Sequence, residues 1–439
     1  HGIHGMTSGV NAEGMAGAGE MASAEARRQQ ALKTARGSIP AAAVLLLLGG
    51  VVVGALAFVL TVGRDPQRAW ANVWYNFLFW TALAQAGVVF GAIIQVAKGH
   101  WGKDFRRIAE GASAFLPVGF LVFLSLYFGA EHIFPWVHPV EEHINRQWLT
   151  VDGVFLRNGA LLLLIIGTSG LFLWYSLRPD ALFLQGRHSG WRAALIERLG
   201  RKWRGDAEEA AHSRSRLAVL SPLLILMWVS TFTLLATDMA MSLTPGFTSV
   251  IWGPYYFVGG WVTLLAFVAV VAGWHTGVRN RQLWSRWQFH DLGKLLFAFL
   301  VFWTYLWFSQ FIVIWYGNLP RETIWFIQRT TGGFSSLLIL QMVLIFAAPF
   351  VLLLGRSPKM KPRFLASVAI LILAGFWVER YNLVFPSIWK GEPPLGLPEL
   401  AIFLGFLSLF GLTYSLYAST FPLLPLGESL MEGEAGHGP

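Results

Sequence analysis

The chain has 439 residues, of which 55% are hydrophobic and 13% are charged, and its formal net charge is +9. Soluble domains carry about 25% charged residues, so this composition excludes a soluble globule and indicates an integral membrane protein. The sequence contains no cysteine, which excludes disulfides, thiolate-held iron–sulfur clusters and covalent haem attachment by this chain.

The N-terminal segment 1–38 is rich in Gly, Ala, Glu and Met and has no apolar run before Ile39. We therefore predict a mobile tail on the cytoplasmic side. The tail lacks the short apolar core that precedes the cleavage site of a secretory signal. The C-terminal segment 423–439 is predicted to be a second, short tail.

Between the tails, residues 39–422 are predicted to form one membrane domain. A helix needs about 20 apolar residues to cross the hydrocarbon of a bilayer. Ten such stretches occur in the sequence, at 39–62, 73–97, 111–130, 159–177, 217–240, 255–274, 295–316, 333–355, 364–384 and 398–422. Their length and the absence of alternating ten-residue segments favour an all-α protein with ten transmembrane helices over a membrane barrel.

The basic residues predict the orientation of these helices. Of the 33 Lys and Arg residues, 24 fall in the N-terminal tail or in the alternate connections, including nine in the longest one, 178–216. The positive-inside rule places that side, with both termini, in the cytoplasm. The positive charge is therefore explained by membrane topology, and nucleic acid is not an expected partner.

The histidines do not predict a membrane haem, because all eleven lie in tails, loops or at helix ends. One group lies in the connection after the third helix and contains His132, His138 and His143, with Glu131, Glu141 and Glu142. A metal site is one interpretation of this group. We favour a solvated loop that faces a partner, and no metal ligand is assigned.

The seventh predicted helix carries polar groups inside an apolar segment, "HDLGKLLFAFLVFWTYLWFSQFIVIWYGN" at 290–318. At about 100° per residue, one narrow face holds Asp291, Lys294, Tyr305, Ser309 and Tyr316. We interpret this face as two proton half-channels, because ionisable groups inside a membrane are usually functional. The alternative is a structural pair in which Lys294 reaches the cytoplasmic interface beside Asp291.

Further candidates for a proton pathway lie near this helix or in the outer part of the membrane. They are His290, Thr263, Ser335, Gln341, Asp238, Glu379 and Arg380. Glu379 and Arg380 are neighbours in sequence, so we expect them to find partners on other helices, and Asp238 with Arg380 is a candidate ion pair. A purely structural role for these charges is an equal alternative.

Three segments carry a resemblance to a known family. They are "HDLGKLLFAFLVFWTYLWFSQFIVIWYGNLPRET", "TDMAMSLTPGFTSVIWGPYYF" and "WVERYNLVFP", which resemble the NrfD/PsrC-like membrane subunits of bacterial respiratory complexes such as alternative complex III. The resemblance covers 39–422. It implies two four-helix bundles, helices 2–5 and 6–9, flanked by helices 1 and 10, in the bacterial inner membrane.

The resemblance also implies partners and cofactors. The complex oxidises menaquinol and contains a paralogous quinol-binding membrane subunit, an iron–sulfur subunit and haem c subunits. Quinol-reacting members carry a histidine in a second-helix phrase of the type "GxGHAGTLISAIL". Here the matching phrase is "ALAQAGVVFGAII", with Gln85 at that position. Glutamine cannot take the proton of a quinol as imidazole does, so direct quinone binding is not expected.

We therefore expect a subunit of a quinol:acceptor oxidoreductase that has no redox centre, no catalytic residue and no cofactor of its own. Its expected roles are to anchor periplasmic subunits and to contribute proton half-channels. Two alternatives remain open at this point. One is a direct quinol-binding subunit, and the other is a purely structural membrane anchor.

Overall fold

A computed structural model describes residues 29–35, 38–138, 147–279 and 283–427. Ten of its helices are long and apolar enough to span a membrane. They are α1 Ala41–Val62, α2 Pro66–Ala97, α3 Trp101–Ile133, α4 Val151–Leu184, α5 Glu208–Leu243, α6 Trp252–Val278, α7 Arg286–Gly317, α8 Phe334–Leu354, α9 Pro362–Ile388 and α10 Leu397–Thr420. The described residues contain no strand, which confirms the predicted all-α multi-pass membrane protein.

The helices alternate in direction, so their ends form two faces. We call the end that carries the described segments 29–35 and 421–427 the terminal face, and the opposite end the distal face. The connection between α4 and α5 lies at the terminal face and is shorter than predicted. Because α4 continues to Leu184 and α5 begins at Glu208, much of the predicted loop 178–216 is membrane-helix extension, with the short helix Trp191–Gly200 between them.

Helix α2 lies at the centre of the molecule. In the most apolar 18-residue part of α2, 94% of the residues are buried, whereas in the same part of α1 only 11% are buried. Helix α2 packs against α3, α5, α6 and α9, while α6 packs against α5, α7 and α9. Helix α4 packs on α5 and α3, and α8 packs on α9 and α7. The membrane domain is therefore organised around α2 and α6.

Helices α1 and α10 cross at glycines. The sequence "GVVVG" places Gly50 and Gly54 on one face of α1, opposite Gly405 and Ser408 of α10. A Cβ atom added at Gly54 would lie 2.5 Å from the Gly405 Cα atom, so only glycine allows the two backbones to approach this closely. Small residues at such spacing are the usual means of helix association in lipid.

The described segments 29–35 and 421–427 are packed together at the terminal face. The Leu423 backbone N–H donates to Thr34 Oγ1 at 3.0 Å, and Leu32 and Leu424 are buried beside them. The described parts of the predicted tails are therefore docked on the membrane domain. The remainder of those predictions, 1–28 with 36–37 and 428–439, lies outside the described residues.

Candidate functional site

A buried charge network lies at the terminal face, between α3 and α4. Arg106 Nε donates to Glu110 Oε1 at 2.9 Å, and Arg107 Nε donates to Asp180 Oδ2 at 2.7 Å. The second Glu110 oxygen accepts from Arg107. Ser176 joins the groups, since its hydroxyl donates to Glu110 Oε1 at 2.6 Å and accepts from both arginines. We call these five residues the terminal-face network.

The sequence builds this network from one helical turn. In "RRIAE" the carboxylate of Glu110 follows the two arginines at i+4 and i+3, which places all three side chains on one side of α3. All four charged groups are essentially inaccessible to solvent. Two guanidinium groups balance two carboxylates, so the network is formally neutral, as a buried charge cluster needs to be.

The C-terminal segment covers this network. The backbone N–H groups of Leu426 and Gly427 donate to Asp180 Oδ1 at 2.9 and 2.8 Å. A Cβ atom at Gly427 would lie 2.4 Å from the Pro179 side chain, so the segment is in direct contact with α4. The hydroxyls of Tyr414 and Tyr417 on α10 are buried and have no hydrogen-bond partner. They are uncharged polar groups beside the network.

Gln85 lies deeper in the membrane domain. Its Nε2 atom donates to Ser169 Oγ of α4 at 2.9 Å, while its Oε1 atom is buried without a partner. On α4, Asn158, Ser169, Ser176 and Asp180 are all buried and fall on one face at about 100° per residue. Between Asn158 and Ser169 this face rises about 16 Å at about 1.5 Å per residue. Apolar side chains fill that interval.

Asp238 lies at the distal end of α5 and is fully buried. Its Oδ2 atom accepts from Arg157 Nε at 2.6 Å and from Asn158 Nδ2 at 2.7 Å. Trp148 Nε1 donates to Oδ1 at 3.2 Å. The predicted pairing of Asp238 with Arg380 is therefore wrong. The partner is an arginine of α4, because α4 packs directly on α5.

A small cavity opens beside Asp238. Its volume is about 200 Å³, and its walls come from the connections at the distal face, including Trp136, Trp148, Thr244 and Phe247. A carboxylate lines this cavity, but the carboxylate is already engaged by three donors.

Glu379 and Arg380 form a third network, in the distal half of α9. Arg380 Nη1 donates to Glu379 Oε2 at 2.5 Å, and Tyr255 donates its hydroxyl to Glu379 Oε1 at 2.6 Å. The guanidinium group also stacks on the Tyr256 ring, 4.3 Å from its centroid. Both residues have partners on another helix, as expected, since Tyr255 and Tyr256 belong to α6, but they also pair with each other, which was not expected. Their long side chains bend together because both face α6.

Arg329, in the short helix Pro320–Thr330, is buried without a carboxylate partner among its hydrogen bonds. It donates to the backbone carbonyls of Asn382 and Leu383 at 2.8 and 3.0 Å. The Asn382 carbonyl is free because residue 386, four positions later, is a proline without an N–H. Burial lowers the pKa of Arg329 to about 9, which leaves it charged at neutral pH.

The polar face predicted for α7 lies on the outside of the described molecule. Lys294 Nζ and Asp291 Oδ1 are 2.8 Å apart, with the lysine side chain 56% exposed. His290 Nδ1 is 3.9 Å from Asp291. Tyr305 is 61% and Tyr316 86% exposed. The interior side of α7 is instead formed by residues such as Leu296, Leu300, Trp303 and Gln310.

Ser309 is half-buried and lies on the same outer side. Three of the further pathway candidates are hydrogen-bonded elsewhere rather than to this face. Thr263 of α6 donates to the Gly259 carbonyl at 2.6 Å, Ser335 donates to the Gly332 carbonyl at 2.7 Å, and Gln341 accepts from Asn382 Nδ2 at 2.9 Å. Thr263 and Ser335 therefore bond to backbone carbonyls of their own segments, and Gln341 bonds to a side chain of α9.

The histidine group after α3 is only partly described. His138 Nε2 lies 3.2 Å from the Glu131 backbone carbonyl, and His132 is exposed. His143 lies outside the described residues, as do Glu141 and Glu142. Among the residues that the structure describes, no group of three or more His, Cys, Asp or Glu side chains has the arrangement of a metal site.

The sequence interpretation missed the terminal-face network and Arg157. Arg106, Arg107 and Asp180 lie just outside the apolar stretches 111–130 and 159–177, so hydropathy alone places them in connections between helices. The signal that identifies Arg106 and Arg107 is the carboxylate of Glu110 at i+4 and i+3, directly before an apolar stretch. No model of a known protein family matches the chain, and no curated protein matches it.

Proposed function

We propose that the chain is a membrane subunit of a quinol-oxidising respiratory complex, similar to ActF, the second NrfD-like subunit of alternative complex III. It has no redox centre of its own. It lies in a bacterial inner membrane with the terminal face toward the cytoplasm, where most of its basic residues are found. Helices α2–α5 and α6–α9 are two four-helix bundles, and the distal face anchors the periplasmic iron–sulfur and haem c subunits.

The observation that carries this proposal is the position of the charge networks in the first bundle. The terminal-face network lies at one end of α4, and Asp238 with Arg157 and Asn158 lies at the other. From the terminal side, Ser169 and Gln85 extend the polar face toward the middle of the membrane. About 16 Å of apolar helix face separates Asn158 from Ser169. We infer two proton half-channels separated by an apolar barrier.

The face of α7 has a different role in this proposal. Because Tyr305 and Tyr316 are exposed, any proton path along them needs a second wall from another subunit. Asp291 and Lys294 then mark an interface with the paralogous membrane subunit rather than an internal channel.

A structural anchor is the second candidate. It is favoured by the completeness of the ion pairing, since each buried carboxylate described above is already bonded to an arginine. Direct quinol binding at Gln85 is disfavoured, because Gln85 is fully buried and its Nε2 atom already donates to Ser169, which leaves only its Oε1 atom without a partner.

The test measures protons translocated per quinol oxidised, in vesicles that contain the whole complex. The variant Ser169→Ala interrupts the polar face without changing any charge, and Asp291→Asn/Lys294→Met neutralises the exposed pair. If Ser169→Ala keeps electron flow but lowers proton translocation, the first bundle conducts protons. If only the α7 variant does so, the path runs along the subunit interface.

Unchanged electron flow and proton translocation in both variants would support the structural anchor. Loss of quinol oxidation in Ser169→Ala would place the quinol site in this chain, beside Gln85.

A further inference from the structure

A second cavity, separate from the charge networks, lies between the connection after α5 and the distal end of α7. Its volume is about 480 Å³, which is within the range of about 300–1,000 Å³ of small-molecule sites. Its walls are formed by Met241, Thr248, Ser249, Val250, Ile251, Gln310, Val313, Ile314 and Glu322. Most of this surface is apolar, with a few polar groups.

One of these polar groups is an amide that the protein leaves unsatisfied. Gln310 is only 4% exposed, and its Oε1 atom is buried without a hydrogen-bond partner. A buried carbonyl without a partner costs about 1–3 kcal/mol. Gln310 is also the polar residue of α7 that points away from the exposed face of Asp291 and Tyr305. The cavity is therefore lined by a residue whose carbonyl oxygen has no partner within the described protein.

The charged residues of the cavity wall indicate which kind of ligand it favours. Glu322, in the first turn of the short helix Pro320–Thr330, contributes a carboxylate to the wall, and none of the described wall residues is Lys or Arg. The seryl and threonyl hydroxyls of Ser249 and Thr248 add further acceptors. This arrangement favours a cation that carries N–H donors over an anion.

Two wall residues of the cavity are exposed apolar side chains. Val250, in the turn before α6, is 98% exposed, and Val313 of α7 is 67% exposed. Gln310 lies seven residues before the end of α7 at Gly317, which is about 10 Å below that end. The site thus spans the depth at which a lipid headgroup meets the acyl chains.

We propose that this cavity binds the headgroup of a phospholipid with a primary ammonium group, of the phosphatidylethanolamine class, in the leaflet at the distal face. The ammonium group donates to the Glu322 carboxylate and to Gln310 Oε1, and the acyl chains lie along Val250 and Val313. This site is independent of proton transfer and of the quinol reaction.

The test is lipid retention, measured by native mass spectrometry on the complex after partial delipidation and re-addition of defined lipids. Three lipids separate the contributions. Phosphatidylethanolamine carries the charge and the N–H donors, phosphatidylcholine carries the charge without donors, and phosphatidylglycerol carries hydroxyl donors without a cation. We expect retention of one phosphatidylethanolamine with at least about tenfold preference over each of the others.

The variants Gln310→Leu and Glu322→Gln should each reduce that preference about tenfold. Gln328→Leu, which removes a comparable amide from a different cavity at the same face, is the matched control and should retain the lipid. Equal retention of the three lipids by the unaltered protein would overturn the proposal, and this result does not depend on the folding of any variant. Displacement of the lipid by a quinol analogue would overturn it in favour of a quinone site.

Discussion

Replacing Glu110 by glutamine should unbalance the terminal-face network. In the native protein its two oxygens accept hydrogen bonds from Arg106, Arg107 and Ser176. The substitution keeps the shape of the side chain and removes its charge. Arg107 still has Asp180 at 2.7 Å, whereas Arg106 loses its ion pair with Glu110.

The expected cost follows from the burial of the network. Removal of one partner of a buried ion pair typically costs about 3–5 kcal/mol, because an uncompensated charge remains. Both Glu110 and Arg106 are almost fully buried, so we expect the free energy of unfolding to fall by about that amount. Arg106→Met in the Glu110→Gln background removes the guanidinium group that has lost its ion pair with residue 110. The double variant should therefore recover about 2–3 kcal/mol of the loss.

The assay is a double-mutant cycle measured by unfolding titration with sodium dodecyl sulfate in mixed micelles. Asp291→Asn with Lys294→Met provides the control cycle, since this pair has similar geometry at 2.8 Å but is partly exposed. Exposed pairs contribute about 0–1 kcal/mol.

Two results would refute the reasoning. A cost for Glu110→Gln as small as that of the exposed pair would mean that water or lipid headgroups reach the network. Additive effects of Glu110→Gln and Arg106→Met would mean that these two side chains do not share an interaction.

Three further predictions concern other parts of the membrane domain. Arg329→Met should lower the free energy of unfolding by about 3 kcal/mol, because it leaves the Asn382 carbonyl unsatisfied. The loss should be smaller in a Pro386→Ala background, where residue 386 supplies an N–H, and equal losses in both backgrounds would contradict this account. Gly54→Val should force α1 away from α10 at a cost of about 1–3 kcal/mol, detected as lost cross-linking between cysteines introduced into this cysteine-free chain. Asp238→Asn should lower the thermal midpoint less than Glu110→Gln does, because the Arg157 side chain is 20% exposed and water can solvate its guanidinium group. A larger decrease would mean that water does not reach the Arg157 guanidinium group.

The number of helices was predictable from the sequence, because about 20 apolar residues are an unambiguous requirement of the bilayer. Their ends were not. Helix α4 has 34 residues, about 50 Å at about 1.5 Å per residue, so it extends well beyond the hydrocarbon. Hydropathy detects only the apolar part, and it therefore places Asp180 in a loop although Asp180 belongs to a buried network.

The candidate site illustrates a second limit. Helical periodicity correctly places Asp291, Lys294 and Tyr305 on one face of α7, but it does not say which way that face points. In a soluble protein the apolar side of a helix faces the core, whereas in a bilayer both sides are apolar. The interior side of α7 is recognisable only from its packing on α6, which a single sequence does not reveal.

The contact between the segments 29–35 and 421–427 has a consequence for protein engineering. Because Leu423 bonds to Thr34 and α1 packs along α10, the order of the helices in the chain is close to circular. A permuted gene that joins the original ends and opens between α5 and α6 would encode α6 to α10 first, followed by α1 to α5. In that chain α10 and α1 become a hairpin, so the first and last helices of the native sequence can be inserted into the bilayer as one unit.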